Sequence, residues 1–360
     1  DGKVSLEVMD EAMLASAALL SGAHPSPLRQ LLCHCSRVVP RSGPRFCAPA
    51  HARSADGRPR GDFAPARSAL ASPPRNPVDR PRGETMANKV KEAWKAGKAV
   101  VNGWLAIPNA FSAEMFSQAG WDSVTVDMQH GVQDYLSCVS CFQGMQPHGV
   151  TPMVRVPWNE PGIVGKVLDA GAYGVICPMV NTEAEARALV QYCKYPPKGT
   201  RSNGPIRAGL YGEGGNYQQT ANDEILVIPM IETQQALDNL EAILDVPGID
   251  GIYVGPSDLG LSLGMAPKLD REEPEILKIY ERLLNETSKR GIAAGLHNAT
   301  GAYAHRMVKM GFKLVTIANE VSLMVLAARA AVKEARGEET GLPKPDTSKP
   351  ANPKTGAASG

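Results

Sequence analysis

From residue 86 onward the sequence predicts one (β/α)8 barrel, the TIM-barrel form of the α/β class. Eight short apolar runs alternate with stretches of helical periodicity over about 250 residues, the usual span of such a barrel. An open doubly wound sheet is the competing architecture, and it normally carries a glycine-rich phosphate turn after its first strand. Here that position reads Pro108-Asn109-Ala110-Phe111. Neither a Walker motif nor a G-x-G-x-x-G follows any of the runs.

The elements follow in order. Strand one is expected over residues 99–107, with a helix over 113–119. Strand two is Ser123-Val124-Thr125-Val126-Asp127, and the next helix runs over 133–145. Strand three covers 152–156; its helix opens at Pro161, suited to a first helical turn, and carries Ile163, Val164, Val167 and Leu168 at helical spacing. Strand four covers 174–179, after which Thr182 and Glu185 form a capping box for a helix reaching Cys193. The connection 195–223 is long and glycine-bearing, and loops of that length in a compact domain are usually functional. Strand five leads to Glu232 and a helix with Ala236, Leu237, Leu240 and Leu244. Strand six leads to Asp258, a glycine-bearing loop over 260–270 and a helix over 274–290. Strand seven is expected over 292–296, strand eight over 314–318 and a last helix over 321–336.

Residues 1–85 differ in kind. They are rich in Arg, Pro, Ala, Ser and Gly, with Lys3 the sole lysine before Lys89. Such a segment cannot bury enough apolar surface to offset its ordering entropy, so disorder is expected there. It reads as a disordered extension, an Arg-rich transit peptide or translated upstream DNA. The last is preferred, because organised sequence begins at once after Met86-Ala87-Asn88-Lys89. A second disordered segment is expected over 338–360, leaving 86–337 as the folded domain.

The 360-residue chain balances 38 basic against 37 acidic residues, which gives no general attraction to nucleic acid or anionic membrane. No apolar run is long enough to span a bilayer. The seven cysteines are scattered without a disulfide framework, as expected of reduced thiols in a cytoplasmic protein. Cys138 and Cys141 fall in a helical pattern and Cys177 in a strand; all three are read as packing.

Barrel chemistry lies at the C-terminal strand ends. That rule selects Trp104, Asp127, His130, Arg155, Met230, Glu232, Asp258, His297 and Asn319. Glu232 and Asp258 each follow an apolar run, one strand–helix–strand unit apart, so neighbouring parallel strands bring them side by side. Two such carboxylates form a hard oxygen site for Mg²⁺ or Mn²⁺; the alternative is that both cap helices. Arg155 within an apolar strand requires an anion, either a substrate or a structural carboxylate. His130 on the same face is a candidate for proton transfer. No lysine lies in the apolar part of a strand near its C-terminal end, which favours a metal over an imine as electron sink.

Six strings stand in fixed order: Asp127-x-x-His130-Gly131, Arg155-Val156-Pro157-Trp158-Asn159, Pro178-Met179-Val180, Tyr195-Pro196-Pro197-x-Gly199-x-Arg201, Ile231-Glu232-Thr233 and Gly255-Pro256-Ser257-Asp258-Leu259. In this the chain resembles the class II pyruvate aldolases of the HpcH/HpaI type over residues 104–335. The resemblance implies a divalent cation (Mg²⁺, Mn²⁺ or Co²⁺) ligated by Glu232 and Asp258, with water and substrate in the remaining positions. It implies that Arg155 binds the pyruvate oxygens. His130, paired with an acid matching Asp169, handles the proton on the aldehyde-derived oxygen. Trp104 and Asp127 line the pocket, and backbone amides around Gly255, Pro256 and Ser257 hold the pyruvate carboxylate. It further implies a hexamer built as a trimer of dimers, with the last helix exchanged between subunits. Met230, Gln129, Ser257 and His297-Asn298 depart from the common pattern of that family and bear on pocket polarity and aldehyde preference.

The activity expected is reversible, metal-dependent aldol cleavage of a 4-hydroxy-2-oxo acid to pyruvate and an aldehyde. The alternatives are a CoA-thioester lyase of the citrate lyase type, which needs a basic groove for the CoA phosphates, and a non-catalytic binding barrel.

Overall fold

The computed structural model describes residues 87–211 and 217–339. The expectations for residues 1–85 and 340–360 lie outside the described residues. Eight parallel strands close in sequence order, β8 pairing back onto β1. They are β1 (Val100–Leu105), β2 (Ser123–Asp127), β3 (Thr151–Arg155), β4 (Gly174–Cys177), β5 (Leu226–Ile231), β6 (Gly251–Val254), β7 (Ala293–Asn298) and β8 (Leu314–Ile317). The helices are α1 (Lys89–Lys95), α2 (Ala110–Ser117), α3 (Tyr135–Met145), α4 (Pro161–Asp169), α5 (Glu183–Cys193), α6 (Ile206–Tyr211), α7 (Tyr217–Glu224), α8 (Gln234–Asp238), α9 (Leu240–Leu244), α10 (Pro256–Ser262), α11 (Pro274–Lys289), α12 (Gly301–Met310) and α13 (Glu320–Ala335).

Alternation of side chains along each strand divides the core into two shells. Trp104, Met153, Ile176, Leu226, Ile228, Met230, Tyr253 and Leu314 fill the barrel interior. Their strand neighbours, such as Leu105, Val154, Val175, Val227 and Leu296, pack outward against the helices. The inward parity continues to the strand ends. Trp104 points in, so two-residue spacing also turns Asp127, Arg155, Glu232 and His297 toward the mouth. One polar band crosses the interior: Asn102 Nδ2 donates to Thr316 Oγ1 at 2.9 Å, and Asn102 Oδ1 accepts the Ser123 and Thr125 hydroxyls at 2.8 and 3.1 Å. All four residues are buried, and their mutual bonds offset the cost of burying them.

The eight strands stand where the sequence places them, within two residues at most ends. The Thr182–Glu185 capping box and the Pro161 helix start are both present. Several features differ. α1 was not anticipated; its seven residues bury only Val90, too little for a periodic signal, and it is fixed instead by the Asn88 side chain capping Val90 and Lys91. The 195–223 connection contains α6 and α7. The α7 sequence is almost wholly polar and buries only Tyr217 and Ala221, so it lacks an apolar stripe. α12 follows β7 and buries Tyr303, Ala304 and Met307. β7 extends through His297 and Asn298, which carries both into the barrel wall.

Lys194 is buried at the N-terminal end of β5, its amine donating to the carbonyls of Asn222 and Ile225 at 2.9 and 2.6 Å. Cys138, Cys141, Cys177 and Cys193 are buried free thiols. Among the described residues no helix is long and apolar enough to cross a membrane.

α10 carries Asp258 and rests on Arg271, which is 1% exposed. Arg271 donates to Pro256 O at 3.3 Å and Ala266 O at 2.6 Å. A Cβ on Gly260 would lie 1.6 Å from Arg271 Nη2. Gly260→Ala is therefore expected to lower stability by about 1–3 kcal/mol, the usual cost of overpacking. Urea titration should show this as a lower midpoint at unchanged slope.

Candidate active site

Two charged groups on adjacent strands define one side of the mouth. Asp127 closes β2 and Arg155 closes β3, and the two are paired in register. Arg155 Nε donates to Asp127 Oδ1 at 2.8 Å and Nη2 to Oδ2 at 2.5 Å. Trp104 Nε1 donates to Oδ2 at 3.1 Å, and the backbone amides of Gln129 and His130 donate to Oδ1 at 3.1 and 3.3 Å. The Arg155 guanidinium also lies over the Trp104 ring, 4.8 Å from its centroid. Of the two anions weighed for Arg155 from the sequence, the structure therefore contains the barrel carboxylate. Asp127 does more than line a pocket: it clamps the guanidinium.

Glu232 stands two strands further round the barrel from Arg155. It follows β5, is 2% exposed, and accepts the Met179 amide on Oε1 at 2.8 Å. Met179 reaches it from a left-handed backbone conformation (φ 56°), costly for a residue with a Cβ and concentrated at functional sites. Asn181 holds that turn, donating to Met179 O at 3.0 Å and accepting the Thr233 hydroxyl. Burial pushes the Glu232 carboxyl up to about 7; the negative charge of Asp258 adds to the shift, while the Met179 amide and Arg155 oppose it. A Cβ on Gly255 would stand 2.4 Å from Glu232 Oε2 and 3.1 Å from Met230 Cε, so only glycine lets this strand end approach the carboxylate.

Asp258 is half-buried in the first turn of α10, rather than at the strand end itself. Pro256 occupies the first position of that helix and has no N–H. Any amides offered to an anion there thus come from Ser257 and Asp258. His130 is exposed beyond β2.

Asp169 does not meet His130 within the chain. It ends α4 on the outside of the barrel, and its Oδ1 takes Arg201 Nη2 at 2.7 Å. Arg201 in turn lies over Tyr195 and Tyr217, 4.4 and 5.6 Å from their ring centroids. The helix between strands three and four carries Asp169 away from the mouth as it returns toward the start of β4.

Sequence reasoning missed Glu320. It begins α13, is buried, and accepts the amides of Ala106 and Ile107 at 2.6 Å each. Burial pushes its carboxyl up against the pull of those amides. In sequence it looks like any acid in a first helical turn. Met179 stands in one of the six strings, but its left-handed turn and the part of Asn181 in holding it leave no compositional mark.

The donor set fits a hard divalent cation. Its acids are a buried carboxylate with a raised pKa and a second acid close enough to perturb it, both oxygen donors. Among the described residues no cluster of three or more His, Cys, Asp or Glu side chains stands ready for a metal.

Fold and site together define a (β/α)8 barrel with an acid pair and a clamped guanidinium at its catalytic face. Residues 102–327 match the HpcH/HpaI aldolase/citrate lyase family, and the chain belongs to that family. It is 39% identical over 250 residues to a hydroxypyruvate/pyruvate aldolase of Rhizorhabdus wittichii, covering 69% of this chain and 99% of that one. It is 35% identical over 247 residues to a 4-hydroxy-2-oxo-heptane-1,7-dioate aldolase of Salmonella heidelberg, covering 68% and 93%. A crystal structure of a family member from Burkholderia cenocepacia superposes with a TM-score of 0.65 at 30% identity, covering 69% of this chain and all of that one.

Asp127→Ala leaves Arg155 buried without its anion. Breaking a buried pair in this way is expected to cost about 3–5 kcal/mol, measured by chemical denaturation. Arg155→Met with Asp127→Asn should lose less than either truncation alone, because neither charge is then stranded.

Proposed function

We infer that the protein catalyses reversible aldol cleavage of a 4-hydroxy-2-oxo acid to pyruvate and an aldehyde, with a divalent cation (Mg²⁺, Mn²⁺ or Co²⁺) held by Glu232 and Asp258. The observation that carries this reading is the placement of the buried Glu232 after β5 and of Asp258 in the first turn of α10 after the adjacent β6, at the strand ends where Asp127 locks the Arg155 guanidinium. When bound, the cation supplies Lewis acidity at the 2-oxo group. Arg155 has Nε and Nη2 committed to Asp127, which leaves Nη1 for a substrate oxygen. Its positive charge stands where negative charge builds as the C3–C4 bond breaks. Such preorganised charge counts most in a site largely closed to water. His130, exposed at the rim, accepts the C4 hydroxyl proton during cleavage and returns it during condensation. The first-turn amides of Ser257 and Asp258 support the substrate carboxylate. Trp104 walls the pocket and keeps water from the guanidinium.

The site is completed by oligomerisation. α13 leaves Met324, Leu326 and Val332 at 55%, 57% and 48% exposure, an apolar surface that a neighbouring barrel covers in a hexamer of exchanged dimers. The same assembly offers Asp169 of one copy to His130 of another. A cytoplasmic location fits the free thiols. For the CoA-thioester alternative, the basic residues of the 194–207 stretch would have to bind phosphates. Lys194 and Arg201 are instead buried in structural bonds, Lys198 pairs with Asp223 at 2.6 Å, and Arg207 donates to Ala170 O.

The test is pyruvate release from a panel of 4-hydroxy-2-oxo acids in EDTA and after adding Mg²⁺, Mn²⁺ or Co²⁺. Activity is expected only with metal, and full turnover in EDTA would overturn the scheme. Arg155→Ala should lower kcat by about 100-fold or more, as for loss of other preorganised charge stabilisers.

The Glu232 shift gives a pH signature. Its carboxyl, raised from 4.5 to about 7, keeps a proton in the metal-free fold that the unfolded chain has already released. Its contribution to stability is therefore present below pH 4.5 and lost as pH rises toward 7. Cation binding needs the ionised form, so Mn²⁺ affinity should fall about tenfold per pH unit below 7. Isothermal titration between pH 5.5 and 8 measures this, and Glu232→Gln should abolish the dependence along with most of the binding.

A further inference from the structure

His297 takes no part in the scheme above, yet β7 carries it into the barrel mouth. Its ring meets Trp104 edge-on, with centroids 5.0 Å apart and planes at 83°. Its Nδ1 lies 3.0 Å from the Tyr253 hydroxyl. Tyr253 stacks on Trp104 at 5.7 Å, and its hydroxyl is 2.7 Å from Thr316 Oγ1. Thr316 accepts from Asn102 in the polar band that links β1, β2 and β8. Trp104 is thus enclosed by His297, Tyr253 and Arg155, with its one polar atom given to Asp127.

We propose that His297 is a positioning residue which, by fixing the Trp104 ring, sets the geometry of the Asp127–Arg155 clamp. This rests on the aldolase reading of the site and extends it to a residue that does not touch substrate. The chain of contacts has a direction. Trp104 Nε1 supplies one of the bonds that orient the Asp127 carboxylate, and that carboxylate fixes two of the three guanidinium nitrogens. A ring free to rotate would withdraw the indole N–H and its cover from Arg155 together.

Charge supports the same role. Burial holds the His297 imidazole down at about 4, and Arg155 pushes the same way against the weaker pull of Asp127 and the Ala318 carbonyl. Tyr253, whose hydroxyl meets His297 Nδ1, is itself raised by burial. The imidazole therefore stays neutral and places no second cation beside Arg155. A neutral ring with a polar atom aimed at a buried phenol is suited to holding an aromatic cluster in one arrangement.

A double-mutant cycle with Trp104 tests this. His297→Phe keeps the aromatic edge and loses Nδ1; His297→Asn restores a polar atom. His297→Phe is expected to lower kcat for pyruvate release by about 10- to 100-fold, the range for a misplaced catalytic group, with KM changed less than about twofold. His297→Asn should recover part of that loss. In a Trp104→Phe background, His297→Phe should have no further effect on kcat. Multiplicative effects in the cycle, or a wild-type kcat in His297→Phe, would overturn the proposal. The same cycle read by near-ultraviolet circular dichroism requires no turnover. His297→Phe should change the indole band, and that change should vanish when Trp104 is Phe. An enzyme that released no pyruvate from any substrate would defeat the aldolase reading, while the dichroism cycle would still decide whether His297 fixes Trp104.

Discussion

The clamp of Asp127 on Arg155 is the interaction around which the mouth of this barrel is built. A guanidinium inside a strand costs too much to bury alone. Here its anion sits on the adjacent strand in register, so the pair forms as the sheet closes. The Trp104 indole and two backbone amides then saturate the carboxylate, leaving little freedom in its position. What remains is a fixed positive charge with one nitrogen uncommitted, at the same end of the barrel as Glu232 and Asp258.

That acid pair depends on a different constraint, close approach of backbone. Glu232 needs Gly255 beside it, because any side chain there would occupy the space of its carboxylate. It also needs Met179 held in a left-handed turn so that an amide points into the mouth. Both devices carry strain or lost packing, and both serve a carboxylate whose raised pKa records how poorly solvated it is. A cation between Glu232 and Asp258 would relieve that condition, so binding energy and local instability are two views of one arrangement.

Much of this was legible in the chain. The barrel rule placed Trp104, Asp127, Arg155 and Glu232 together at the C-terminal strand ends. The family strings then supplied roles for them. The short polar helices α1 and α7 were not legible, since they bury one or two residues each and are held by side-chain bonds to connections elsewhere in the chain. Asp169 marks another boundary: the family resemblance suggested it as a partner for His130, while the direction of α4 takes it to Arg201.

The sequence alone determined the fold class, the strand ends and the chemical kind of each group there, because hydrophobic period and residue type are local properties. The tertiary structure decided which groups meet. It paired Arg155 with Asp127, gave Glu232 its Met179 amide, enclosed Trp104 with His297 and Tyr253, and tied Glu320 to the loop after β1. Those pairings depend on strand register and barrel closure, which bring together residues up to about two hundred positions apart, and no local pattern encodes a distance of that kind.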